Sequence, residues 1–149
     1  MKTLNVIAGI GLLVLSAQAS AQVEVYKDYD ISEQVTLVTT VKVDANMLDY
    51  YLEGLRDTWV AANRLAKSLG HLEDFHIYSS ELPQSGDFNL MLVVTFKSGM
   101  DLEPSKKRYE EFMKKWGEER NKNSRKIAKT YPDVRQITGD YRLREIMLK

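Results

Sequence analysis

The spacing of apolar residues along this chain switches between a period of two and steps of three and four, and each switch predicts an element. From Gln34 to Asp44, one face carries Val35, Leu37, Thr39, Val41 and Val43, and the other carries Thr36, Val38, Thr40 and Lys42. That is a strand with one core face and one mixed face. Leu48, Tyr51, Leu52, Leu55, Trp59, Ala62, Ala66 and Leu69 then recur at helical steps until Gly70, which predicts a long amphipathic helix. Asp44 or Asn46 is suited to cap its first turn, because a short side-chain acceptor takes the free N–H groups there.

Phe75 to Ser80 reads as a second strand, and Leu82 to Asp87 as the loop of a hairpin. Phe88 to Lys97 follows, the most apolar run outside the first twenty or so residues, closed by Ser98-Gly99. Near-continuous hydrophobic strands belong in the middle of a sheet. Asp101 to Pro104 opens a second helix, with Pro104 suited to its first turn and Tyr109, Phe112, Met113 and Trp116 as its apolar stripe. Gly117 to Lys126 has no apolar residue, so the helix either projects into solvent there or breaks near Gly117. Ile127, Ala128 and Tyr131 resume the stripe, Pro132 ends it, and Tyr141 to Leu148 makes a last strand. Val23 to Ser32 is a charged, tyrosine-bearing lead-in. The order strand, helix, strand, strand, helix, strand predicts an α+β, ferredoxin-like βαββαβ domain. Its four-stranded antiparallel sheet has the first and third strands central, two helices on one face, and the other face bare.

Residues 1–21 stand apart. Lys2 precedes an apolar segment from Val6 to Leu15, and Ala17 to Ala21 offers two small-x-small cleavage sites, of which Ala19 with Ala21 is preferred. This reads as a signal peptide cleaved after Ala21, giving a periplasmic or secreted single domain over residues 22–149. A membrane anchor needs nearly twice that apolar length. Cleavage removes one cation, Lys2, from the 21 Lys and Arg, leaving 20 against 21 Asp and Glu. That balance offers nothing to nucleic acid or to an anionic membrane. The chain has no cysteine. Disulfides, thiolate zinc sites, cysteine nucleophiles and a lipoprotein anchor are therefore excluded.

The strand Val35–Asp44 running into Ala45–Leu52, the hairpin Phe75–Lys97, the late helix and Tyr141–Leu148 together resemble the dimeric α+β barrel superfamily. The resemblance implies a homodimer formed by pairing bare sheet faces. It also implies a role among small monooxygenases, haem-degrading enzymes, small-ligand binders and members of unassigned role. No catalytic set of that superfamily maps onto this chain residue by residue. The polar stretch Gly117–Lys126 and the export signal depart from its commonest members.

Residue alternation gives an independent reason to expect pairing. With Phe88, Leu90, Leu92, Val94 and Phe96 inward, Asn89, Met91, Val93, Thr95 and Lys97 face outward beside Val38, Thr40, His76 and Tyr78. Such a face is too apolar to be left wet and too polar for a monomer core. A two-fold sheet-to-sheet homodimer accounts for both. The ligand-cavity candidates are Val38, Thr40, His76, Tyr78, Asn89, Met91, Val93 and Thr95. Arg142 and Arg144, with Lys42, are candidates for lining one end of that face and attracting an anion. The plainer reading of the two arginines is as edge-strand charges that discourage aggregation.

In His71-Leu72-Glu73-Asp74-Phe75-His76 the residue types suit a metal, but the spacing sets no third ligand, so no metal site is read. His76 keeps interest as a general acid/base or haem-side ligand beside Tyr78. Trp59, Trp116 and Tyr51 fall on apolar stripes and read as core. P-loop, dinucleotide, His-Glu-x-x-His, nucleophile-elbow and EF-hand patterns are missing from the sequence. No cofactor is predicted. The expectation is a homodimeric small-ligand-binding or structural module. The alternative is an oxidoreductase or haem-interacting enzyme with a cavity around His76 and Tyr78. A third reading is an adaptor using residues 117–126 as a projection.

Overall fold

The computed structural model describes residues 22–81 and 86–149. Residues 1–21, read above as a signal peptide, and Leu82–Ser85 of the hairpin loop lie outside the described residues. Four strands form an antiparallel sheet: β2 (Val35–Val43), β3 (Asp74–Ser79), β4 (Leu90–Phe96) and β5 (Arg135–Leu143), in the order β3-β4-β2-β5. A separate ribbon pairs β1 (Tyr29–Ile31) with β6 (Ile146–Leu148). Since β2 and β3 both run antiparallel to β4, the first crossover skips a strand, and the second does the same around β2. This is the ferredoxin-like fold, the architecture of the superfamily that the sequence resembles. The two most apolar strands are its central pair, as expected.

The first crossover is helical from Leu48 to Ser68: α1 (Leu48–Leu55), a π-helical turn (Arg56–Val60) and α2 (Ala61–Ser68). Neither Asp44 nor Asn46 caps it. Asn46 instead takes a left-handed conformation, φ 65°, in a turn closed by Met47 N–H on the Asp44 carbonyl at 3.1 Å, which leaves Met47 at the cap. At the other end Gly70 behaves as read. Its N–H reaches the Lys67 carbonyl and that of His71 reaches Ala66, a Schellman stop.

The second crossover opens differently from expectation. Ser98 and Asp101 form a capping box on a short 3-10 turn (Gly99–Leu102), and Ser105 caps α3 (Lys106–Trp116), so Pro104 precedes the cap rather than entering the first turn. Gly117, at φ 81° and ψ 152°, breaks the helix, and α4 (Glu118–Ala128) restarts at once. The polar stretch is therefore not a projection. It lies back toward the π turn, with Arg120 over the Trp116 ring at 5.1 Å. The last strand also differs from Tyr141–Leu148. β5 starts at Arg135, and the chain leaves β2 after Leu143 to pair with β1 as β6. Thr36 opposite Leu143 is the last pair of the β2–β5 ladder.

Val41, Val43, Leu90 and Leu92 from the sheet pack with Tyr51, Leu55, Tyr131 and Val134 into one core, and Trp59 and Ile127 close over it. Tyr51 and Tyr131 meet edge to face at 5.0 Å. Among the described residues all the helical cover lies on this side of the sheet.

Candidate functional site

Strand register alone arranges the opposite, bare face in three rows. His76, Val93, Val38 and Tyr141 form the middle row; Tyr78, Met91, Thr40 and Gly139 lie on one side of it, and Asp74, Thr95, Thr36 and Leu143 on the other. Tyr78, Tyr141 and Leu143 are 50%, 52% and 48% exposed, whereas Val38, Met91, Val93 and Thr95 are half-buried by their neighbours. Seven of the ten candidates thus come together on one surface. Tyr141 and Leu143 join them; alternation along the last strand carried that signal, since both lie in a period-two register with Gly139.

The polar groups of this face are mostly engaged. At the bulge in β5, Thr138 donates to the Thr40 hydroxyl at 2.9 Å, and Thr40 donates to the Gly139 carbonyl at 3.3 Å. Gly139 makes room for the Tyr141 ring, which a Cβ there would meet at 2.7 Å. Thr36 and Thr95 hydroxyls lie 3.4 Å apart. At the β3 edge, His76 Nε2 lies 3.6 Å from Asp74 Oδ2, and its ring sits 5.8 Å from that of Tyr78. Lys67, bonded to Asp74 at 2.8 Å, and then the Phe75 N–H hold the Asp74 carboxyl below the usual carboxylate range. Asp74 therefore stays ionised beside His76.

Three candidates belong elsewhere. Asn89 lies just before β4, where its amide accepts from Val43 N–H and donates to Val43 carbonyl, both at 2.8 Å, and so ends the β2–β4 ladder. Arg142 stands opposite Leu37 in register, which puts it on the helix-covered side, and Arg144 shares that side. Counting alternation from Tyr141 as an outward residue gives this placement, one position away from the expectation. Lys42 is at the far end of β2, opposite Gln136, with its ammonium 3.3 Å from the Gly86 carbonyl.

The helix side holds a cleft that the sequence reading passed over. Its volume is about 400 Å³, between the π turn and the α3–α4 pair, with Trp59, Ala62, Phe112 and Trp116 as apolar walls. Thr58 and Tyr131 hydroxyls, 2.5 Å apart, lie at its base. Burial is the main cause that raises the Tyr131 phenol above its ordinary value, and the same holds for Tyr51. The signal was present: α4 brings no apolar residue before Ile127, so Phe112 and Trp116 lack a full apolar lid. Among the described residues no three His, Asp or Glu side chains come together as metal ligands, and no helix is long and apolar enough to cross a membrane.

No protein family model matches the chain, and no curated protein matches it. Solved structures with a similar chain course include a NIPSNAP family protein with unknown function from Agrobacterium tumefaciens str. C58, 14% identical (TM-score 0.48), with 82% of this chain and 95% of that one covered. Protein SO0527 from Shewanella oneidensis is 10% identical (TM-score 0.47), over 80% of this chain and 99% of that one. A dimeric protein of unknown function and ferredoxin-like fold from Bacteroides fragilis NCTC 9343 is 12% identical (TM-score 0.42), over 80% and 100%. The fold assignment rests on the strand order and register given above.

Proposed function

We propose that the protein is exported and works as a homodimer joined through its bare sheet face, as a small-ligand-binding or structural module. The observation that carries this reading is the row His76, Val93, Val38 and Tyr141, two valines between two aromatic rings running across the whole sheet with no helix of the described residues over it. Apolar surface of that kind is stabilised by a second copy, and a two-fold axis through the stripe presents each row to itself. Tyr78 and Tyr141, half exposed at the two edges, supply the large amphipathic rings that interfaces favour. Light scattering of the chain from residue 22 should give twice the single-chain mass, and a monomer at micromolar concentration would end the proposal. Export is tested separately. Expression of the full sequence in a bacterial host should yield a periplasmic or secreted protein whose first residue is Gln22, and retention of residues 1–21 would exclude it.

A second reading is supported by His76, which has an ionised Asp74 on one side and the Tyr78 ring on the other. That imidazole, over the apolar floor of Val93 and Met91, fits an acid/base group or an axial haem donor in an oxidoreductase or haem-interacting enzyme. Titration with haem should then shift the Soret band in the wild type and not in His76→Ala. An unshifted band in the wild type removes the haem version.

A further inference from the structure

On the helix-covered side, where β5 ends, two cations point at one spot. A Cβ on Gly99 would lie 2.6 Å from Arg144 Nη2 and 3.1 Å from Arg142 Nη2. Like charges this close repel, and an anion between them relieves that repulsion. Arg144 is held: its Nη1 donates to the carbonyls of Ser32 and Glu33 at 2.8 and 2.9 Å, which leaves Nη2 directed at the Gly99 cleft. The Arg142 guanidinium makes no hydrogen bond among the described residues, and neither guanidinium has a carboxylate within 4.0 Å there. Both side chains are exposed, and with Glu33, Glu103, Ser98 and Met100 they line an open cleft of about 410 Å³.

We propose that this cleft binds a small zwitterion of the amino-acid class. Two planar guanidinium groups match the two oxygens of a carboxylate, with charge-assisted hydrogen bonds stronger than neutral ones. Glu33 and Glu103 in the same cleft repel a polyanion and favour an ammonium next to that carboxylate. Ser98 adds a hydroxyl, which already accepts the Met100 N–H at 3.2 Å and keeps its own proton to donate. The absent side chain at Gly99 lets both guanidinium groups pack against the backbone there, and a Cβ would push them apart. This site shares no residue with the sheet face, so it stands whether or not the protein dimerises.

The test is calorimetric titration of the chain from residue 22 with the free L-amino acids, their N-acetyl forms, and inorganic phosphate. At least one free amino acid should bind, with N-acetylation weakening it about tenfold or more, the equivalent of one charged contact. Arg142→Gln should weaken binding by at least as much with an unchanged unfolding midpoint, because Arg142 holds no other group. Glu103→Gln should weaken the free amino acid and leave the N-acetyl form unaffected. Gly99→Ala should weaken both. Absence of binding by every amino acid overturns the proposal, as does binding that Arg142→Gln leaves intact. Phosphate binding in preference to any amino acid replaces the zwitterion with a plain oxyanion, and so overturns the assigned ligand class.

Discussion

Leu90 and Met91 are neighbours on β4, yet they answer to different partners. Leu90 is 1% exposed against Tyr51 and Leu55, inside a core that one chain completes alone. Met91 points the other way, between Tyr78 and Thr40, toward a surface that one chain leaves half open. The strand period of two therefore separates an intramolecular stabilisation from one that, under the proposed pairing, depends on a second copy. Leu90→Ala should lower the unfolding free energy by about 2–5 kcal/mol in urea titrations, because the rigid surroundings retain much of the cavity. Met91→Ala should have a smaller effect, and one that grows with protein concentration. Equal, concentration-independent losses at both positions would erase the distinction between the faces.

Val93→Arg presses harder on the open side. Val93 sits mid-row between His76 and Val38, so the two-fold pairing would bury an unpaired cation from each copy. The dimer dissociation constant should rise by about a hundredfold or more, a difference of about 3 kcal/mol. The far-ultraviolet circular dichroism should not change. Sedimentation across a concentration series reads this directly, and an unaltered dimer would place the interface elsewhere.

The same contrast explains what was legible in the sequence. Val35 to Val43 and Leu90 to Phe96 are constrained on one face by the core, so their alternation announced both the elements and their central place. Val38, Thr40, Met91, Val93 and Thr95 followed from that alternation, and His76 and Tyr78 from the same period along β3. β5 did not announce itself: Arg135, Gln136 and Asp140 carry little hydrophobic signal, and the bulge at Thr138 shifts the alternation by one residue. Arg142 and Arg144 lie beyond that bulge, and alternation counted from Tyr141 as an outward residue puts them on the helix-covered side rather than at the bare face. Asn89 was misread because a side chain that bonds backbone at a strand end leaves no trace in hydropathy. The helix-side cleft depends on how α3 and α4 meet at Gly117, which is a matter of backbone angle rather than pattern.

That angle is itself testable. At φ 81° and ψ 152°, Gly117 occupies a region that residues with a Cβ avoid, at a penalty of about 1–3 kcal/mol. Gly117→Ala should lower the urea midpoint by a corresponding amount. Dimer mass should stay unchanged, because α4 covers only the helix side. A loss of dimer with this variant would couple the two faces in a way that the layer arrangement does not provide.

The smallest expected effect lies at the base of that cleft. Tyr131→Phe removes the hydroxyl bonded to Thr58 at 2.5 Å, while Thr58 keeps its bond to the Gly54 carbonyl at 2.9 Å, so the loss at neutral pH should be about 1 kcal/mol. The pH dependence is more telling. Burial raises the Tyr131 and Tyr51 phenols above their ordinary 10.0, with nearby Arg135 opposing but not reversing the shift. The folded chain then keeps protons that the unfolded chain has begun to release. Stability from this source is complete below about pH 10 and falls as pH rises through the folded values. The Phe variant should show a shallower alkaline fall than the wild type, with the remainder due to Tyr51. Parallel alkaline profiles would mean that the Tyr131 phenol is not desolvated, and that the helix side of the sheet is wetter than its packing indicates.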